Sequence, residues 1–193
     1  AESSAIKYEA PFSINRSAQI KAAAFKTGLV ASPVAYLNVS IKLPASSGSD
    51  FGYYDNETGT GIIISGYSGT GGHVIIPDTI NGKPVTAISY LVFQENSNLT
   101  SIVIPDSVIS IGWDAFKKCT NLTDVVLPKY LSSIDSNVFD ECTSLKSIVI
   151  PDSVTSIGNN AFEKCTSLTN IVLPKNITKI NNYMFRDCTS LKS

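Results

Sequence analysis

Few residues in this sequence carry side chains suited to catalysis or metal binding. Cys119, Cys142, Cys165 and Cys188 stand 23 residues apart. A thiol nucleophile needs a base, and the one histidine, His73, lies outside the regular part of the chain. A zinc site needs ligands converging on one point, whereas cysteines at a constant interval form a line. In a stack of strands about 4.8 Å apart, neighbouring cysteines come within disulfide Cα range, but the S–S torsion is demanding. The simplest reading is a ladder of buried thiols packing as small apolar groups. Asp55-Asn56-Glu57 is the densest oxygen cluster and lacks the spacing of a calcium loop. The run GYSGTGG at 66–72 has the glycines of a phosphate loop. It has neither the Gly-Lys-Ser/Thr ending nor a following helix, and a turn needing positive φ accounts for it. No nucleophile with base, carboxylate pair or metal cluster emerges, so neither an enzyme nor a cofactor is expected.

The constant interval is what organises the chain. Shifted by 23 residues, Pro105, Pro128, Pro151 and Pro174 fall in one column. So do Ile111, Ile134, Ile157 and Ile180, then Phe116, Phe139, Phe162 and Phe185, then Leu122, Leu145, Leu168 and Leu191. A period in the twenties is the mark of a solenoid. Four full periods occupy 99–121, 122–144, 145–167 and 168–190. Within each, L-x-x-I-x-I-P reads as a short strand, with Leu145, Ile148 and Ile150 pointing inward and proline ending the ladder. Val154 and Ile157 turn inward on a second side. Gly112 and Gly158 alternate with Asp135 and Asn181, types expected to take a left-handed conformation at a tight corner. Ala161 and Phe162 fill the core, and Cys165 closes the turn. Alternate units read IPDSV and LPK, a superperiod of 46.

Residues 73–98 form an irregular first repeat, five residues longer than the period through an insertion within 79–84, with Asn96 in the cysteine column. Terminal repeats must hide an open core edge. Strands at 53–54, 62–65 and 73–76 complete an N-terminal cap spanning 51–98. Residues 1–45 share none of these columns. PFSI, AQIKAAAFK and VAYLNVSIK read as three strands between turn signals, with a helix over 18–26 as the competing reading. PASSGSD at 44–50 is a linker or turn cluster. The chain opens on AESSA, as a processed or cloned chain would, and stops in CTSLKS inside an unfinished fifth repeat. It therefore reads as a fragment of a multimodular protein, with Phe185 and Leu191 uncovered at its end.

Charged residues make up 16% and the net charge is −1. Without a basic run, nucleic acid binding is not expected. No apolar run approaches the ~20 residues that cross a bilayer. Abundant Ser, Thr and Asn fit an exported protein.

The motif IPxSVxSIGxxAFxxCxSL is similar to the BspA-like leucine-rich repeat family, fully over 99–193 and loosely from about residue 51. The resemblance implies a mainly β fold, a parallel-strand solenoid with a β cap. It implies a cell-surface or secreted protein adhering to host matrix or other cells, and no catalytic residues. Residues 1–43 resemble, in the segment 8–35, the C-terminal half of a chitobiase C-terminal-type Ig-like sandwich, through Tyr8, Pro11-Phe12, Ile20-Lys21-Ala22, Ala24, Gly28 and Ser32. The tyrosine-rich strand and Thr-Asp-Gly turn of that family's first half are absent. This second resemblance implies a spacer in a secreted bacterial protein, often beside carbohydrate-active domains.

Outward strand positions form three candidate surfaces. Val103, Val126, Val149 and Val172 make an apolar stripe beside Asp124 and Lys146. It either grips a partner or reflects β-propensity alone. Asp106, Lys129, Asp152 and Lys175 alternate in sign, which favours correct stacking or encodes a ligand. Tyr90 and Trp113 share a column and form an aromatic platform for a sugar ring or a protein partner, or else cover a loop or the cap. Tyr53, Tyr54 and Tyr67 carry the same ambiguity. Asn38, Asn56, Asn98, Asn121 and Asn176 head glycosylation sequons, which matter only in a glycosylating host. The expected function is a non-enzymatic, adhesin-like module whose ligand is a host-matrix or cell-surface protein. The alternatives are an accessory module that targets carbohydrate for a secreted polysaccharide-degrading enzyme, and a plain spacer.

Overall fold

The computed structural model describes residues 18–22, 35–39, 44–177 and 179–192. The chain divides into two compact units, Ala1–Pro44 and Ala45–Ser193. In the first, β1 (Ala18–Ala22) and β2 (Ala35–Val39) pair antiparallel with Ile20 opposite Leu37. The strand reading of 18–22 therefore holds over the helical one. PFSI and most residues that carry the Ig-like resemblance lie outside the described residues.

The second unit is a right-to-the-pattern solenoid. After a 3-10 turn at Gly48–Asp50 come β3 (Phe51–Asp55), β4 (Ile62–Tyr67), β5 (Gly72–Ile75), β6 (Thr79–Ile80) and β7 (Lys83–Ile88). The repeats follow as β8 (Leu99–Val103), β9 (Ser110–Ile111), β10 (Asp124–Val126) and β11 (Ser133–Ile134). The last strands are β12 (Ser147–Val149), β13 (Ser156–Ile157) and β14 (Asn170–Val172). Each coil places its L-x-x-I strand on one side and its two-residue strand on the other. The first side is parallel, β5–β8–β10 and then β12–β14. The second runs β13–β11–β9–β7–β4 in parallel, with β3 antiparallel at its edge.

The cap is a coil of its own, since β4 and β5 lie on the two sides one level below β7 and β8. Its open edges are both covered, as exposed sheet edges must be. β3 closes one. Residues of the expected linker close the other: the Ser46 N–H donates to the Ile75 carbonyl at 2.9 Å, and Ser46 Oγ accepts from the Ile75 N–H at 3.1 Å. The five extra residues form a hairpin of β6 on β7. Asn81 (φ 51°) and Gly82 (φ 75°) supply its primed turn.

A third side joins the two sheets through the D-A-F-K-K-C segments. Their amides alternate between neighbours. The N–H groups of Asp114, Phe116 and Lys118 donate to the carbonyls of Ser136, Val138 and Asp140 in the next coil. Those of Ala115, Lys117 and Cys119 donate three residues back within their own coil. This alternation needs left-handed backbone at two columns. Leu91, Asp114, Asn137, Asn160 and Tyr183 have φ of 56–62°, and Glu95, Lys118, Glu141, Lys164 and Asp187 have φ of 55–59°. The expectation that Gly112, Gly158, Asp135 and Asn181 take this conformation is corrected: none has positive φ among the described residues. Gly112 and Gly158 are there for closeness. A Cβ on Gly158 would lie 2.5 Å from the Ser136 nitrogen, and one on Gly112 would lie 2.7 Å from that of Tyr90.

The core is a set of ladders. Phe93, Phe116, Phe139, Phe162 and Phe185 stack with centroids 5.1–5.8 Å apart. Tyr67 and Phe51 extend the row into the cap, at 5.1 Å from Phe93 and 5.3 Å from each other. Tyr67 thus packs, partly buried, against the core. Its hydroxyl accepts from the Gly71 N–H, which explains the glycine-rich loop. Leu99, Ile102 and Ile104 are buried, as are Leu145, Ile148 and Ile150. In the alternate coils Val125, Leu127, Ile171 and Leu173 are only partly buried. Phe185 and Leu191, expected to be uncovered, are half-buried against the core.

Candidate interaction surfaces

The outward face of the first side carries two parallel rows. Register places His73, Ser101 and Asp124 level with one another, and Ser147 level with Asn170. Two residues on, Ile75, Val103 and Val126 form the second row, and Val149 pairs with Val172. Val103 is half-buried, so the stripe begins at Val126 (37% exposed) and strengthens through Val149 (75%) and Val172 (62%). β10 and β12 are neighbours in the stack but share no ladder. Lys146 and Asp124 are exposed on this face.

Folding also brings together a pair that spacing alone did not reveal. His73 Nδ1 lies 2.5 Å from Ser101 Oγ. A hydrolytic triad needs its acid on the histidine. Here register puts Asp124 beyond the serine, where it cannot orient the imidazole. Asp124 instead accepts from Thr123 Oγ1 at 2.9 Å. Among the described residues no group of three or more His, Cys, Asp or Glu is placed to hold a metal.

Tyr90 and Trp113 stack on each other, centroids 5.0 Å apart and planes 5° from parallel. They remain 55% and 45% exposed. In the cap, Tyr53 Oη accepts from Asn81 Nδ2 at 2.8 Å, while Tyr54 is exposed.

The cysteines are free thiols. Each Sγ donates to a phenylalanine carbonyl one coil back: Cys119 to Phe93, Cys142 to Phe116, Cys165 to Phe139 and Cys188 to Phe162, at 3.0–3.2 Å. Burial pushes the Cys119 thiol up to about 12 and those of Cys142, Cys165 and Cys188 upward as well. They are therefore poor nucleophiles.

Inter-coil ion pairs occur where spacing did not point. In the Asp106 column the contact is from the Lys129 backbone N–H to Asp106 Oδ1, at 2.8 Å. In the cap Lys83 pairs with Asp55 (2.7 Å), and four more ion pairs lie on the third side, joining Lys118 to Glu95 (3.1 Å), Lys117 to Asp140 (3.0 Å), Lys164 to Glu141 (2.9 Å) and Arg186 to Glu163. Asp140 and Glu163 are both buried, on successive coils. Burial holds the Asp140 carboxyl above its usual range despite Lys117. Burial pushes Glu163 the same way, but hydrogen bonds from Arg186 and Asn160 bring it below its usual range.

Ser and Thr hydroxyls serve the stack as well as the surface. Thr169 donates to the Lys146 carbonyl at 3.2 Å and Ser132 to that of Ile109 at 3.0 Å. Each reaches one coil back and adds a second hydrogen bond to a carbonyl that already accepts the same residue's backbone N–H. The polar composition thus has an internal cause.

Residues 86–193 match the BspA type leucine rich repeat region in six copies. Among solved structures, a leucine-rich repeat protein from T. pallidum is 36% identical with a TM-score of 0.75, over 77% of this chain and 69% of that one. A leucine-rich repeat protein from Bacteroides ovatus is 27% identical (TM-score 0.60; 74% of this chain, 45% of that one). One from Bacteroides capillosus is 28% identical (TM-score 0.56; 65% and 95%). No curated protein matches.

Proposed function

The chain belongs to the BspA-type leucine-rich-repeat family, and from that premise we propose that it is a non-enzymatic, adhesin-like module that binds protein at the cell surface or after secretion. The observation that carries this reading is the row of exposed valines, Val126, Val149 and Val172, flanked by a polar row. Apolar side chains in a line on a rigid sheet offer desolvation energy at little cost in order. The polar row of Ser101, Asp124, Ser147 and Asn170 can satisfy a partner's backbone. No helix among the described residues is long and apolar enough to cross a membrane. The occupant proposed for this face is a host-matrix or cell-surface protein.

The test is a binding screen of the purified chain against matrix and cell-surface proteins. At least one should bind, and Val126→Lys/Val149→Lys should weaken it about tenfold or more, since hot-spot truncation costs at least ~1.4 kcal/mol. Binding that survives the double substitution removes this face from the reading. Silence across the panel favours a spacer.

A further inference from the structure

We propose that the Tyr90–Trp113 stack and the polar track beyond it form a binding site for a neutral carbohydrate, separate from the valine face. Among the described residues the two rings are the only aromatic members of their row. On one side, the register that pairs Gly52 with Gly66 and Ile64 with Ile88 carries Gly66 to the level of Tyr90. A Cβ built on Gly66 would meet nothing within 4 Å. On the other side, the Asp114 N–H donates to the Ser136 carbonyl, which sets Ser136 one coil beyond Trp113. Asn159 and Asn182 continue the row, linked by the Asn182 N–H to Asn159 Oδ1 at 3.2 Å. The row thus reads Gly, Gly, Tyr, Trp, Ser, Asn, Asn.

This arrangement leaves an empty rung. Inside the molecule Phe93, Phe116, Phe139 and Phe162 each have an aromatic ring on both faces. Outside, the aromatic ladder stops after two rings, and Ser136 is too small to cover the far face of Trp113. An aromatic face carries negative charge density and attracts the polarised C–H groups of a pyranose ring. A sugar stacked there sits over Ser136, within the row of Asn159 and next to Asp135. Asn159, its carbonyl oxygen already engaged, keeps its amide nitrogen as a donor. Asp135, exposed, has Oδ1 engaged by the Ser136 N–H at 2.8 Å and keeps Oδ2 as an acceptor for hydroxyls. No lysine or arginine stands in the row, which disfavours an acidic glycan. The row has no apolar member beyond the two rings, which favours a hydroxyl-rich ligand over a protein side-chain cluster.

Trp113 is the single tryptophan of the chain, so its emission reports the site directly. The full chain would be run in native gels containing soluble neutral polysaccharides (β-glucan, xylan, mannan, galactomannan), and titrated with their oligosaccharides while tryptophan emission is followed. The expected result is retardation by at least one polysaccharide, with a blue shift of the emission on titration. Trp113→Ala should weaken retardation by about tenfold or more, Trp113→Phe should restore part of it, and Val149→Lys should leave it unchanged. Circular dichroism melts establish that the variants fold. Three results overturn the proposal: no glycan retards the chain, retardation survives Tyr90→Ala/Trp113→Ala, or a protein partner rather than a glycan shifts the emission. Because Val149→Lys reports only on the valine face, failure here and failure of the protein-binding reading are told apart.

Discussion

A left-handed residue at each D-A-F-K-K-C turn shows how one side chain answers to the backbone of the next coil. Asp114, Asn137 and Asn160 occupy one such column, and among non-glycine types Asn and Asp adopt it at the lowest cost; Leu91 and Tyr183 hold it at the ends of the stack. Asn137→Gly is therefore expected to be close to neutral, whereas Asn137→Val should cost about 1–2 kcal/mol, read from urea midpoints. The thiols make a pH-dependent prediction. In the unfolded chain a cysteine loses its proton above about pH 8.5, while Cys119 holds its own toward about 12 when folded. The folded value is the higher one, so the contribution is intact below about pH 8.5 and is lost as pH rises toward the folded value. Stability should fall by up to about 1.4 kcal/mol per pH unit per buried thiol in that window. Cys119→Ala/Cys142→Ala should flatten the decline, and the native thiols should resist alkylation at pH 8.

Among the elements, the ladders decide which substitutions matter. Phe139 has a ring on each face, while Phe185 has Phe162 on one. Phe139→Ala should cost about 3–5 kcal/mol, and Phe185→Ala visibly less, in the same denaturation series. Gly158→Ala should cost about 1–3 kcal/mol, because the new methyl meets the backbone of Asp135 and Ser136 rather than a side chain that can move. Among the ion pairs, Arg186→Met should destabilise more than Lys118→Met. Its loss leaves the buried Glu163 without its cation, whereas Lys118 and Glu95 are both largely in water. Glu163 has the lowered folded value, so its contribution is present above the usual glutamate range and is lost on acidification. The gap between the two variants should narrow as pH falls.

At the scale of the whole molecule, stability is a sum over neighbouring coils. The ends are unequal. The N-terminal coil has both sheet edges covered, by β3 and by Ser46. In the last coil Ile177, Phe185, Cys188 and Leu191 are only partly buried and Ile180 is exposed. Hydrogen exchange should therefore be slowest in the coils around Phe116 and Phe139 and fastest in the last one. Uniform protection along the stack would argue for all-or-none opening instead.

The sequence by itself determined the period, the inward columns up to the last coil (where Ile180 is exposed), the thiol ladder and the family, because a repeat states its packing once per coil and in one dimension. The strands at Val103, Val126, Val149 and Val172 were legible because strand side chains alternate. What only the tertiary structure decided lies between coils. Which column takes the left-handed backbone depends on which amide reaches the next carbonyl. Which alternating charges meet depends on where side chains point, so the Asp106 column made a backbone contact while the pairs formed around Asp140 and Glu163. His73 met Ser101 only because the cap stacks in register with the first repeat. Tyr90 and Trp113 shared a column in the sequence, but their mutual stacking, and the uncovered face it leaves, required the rings to be seen in place.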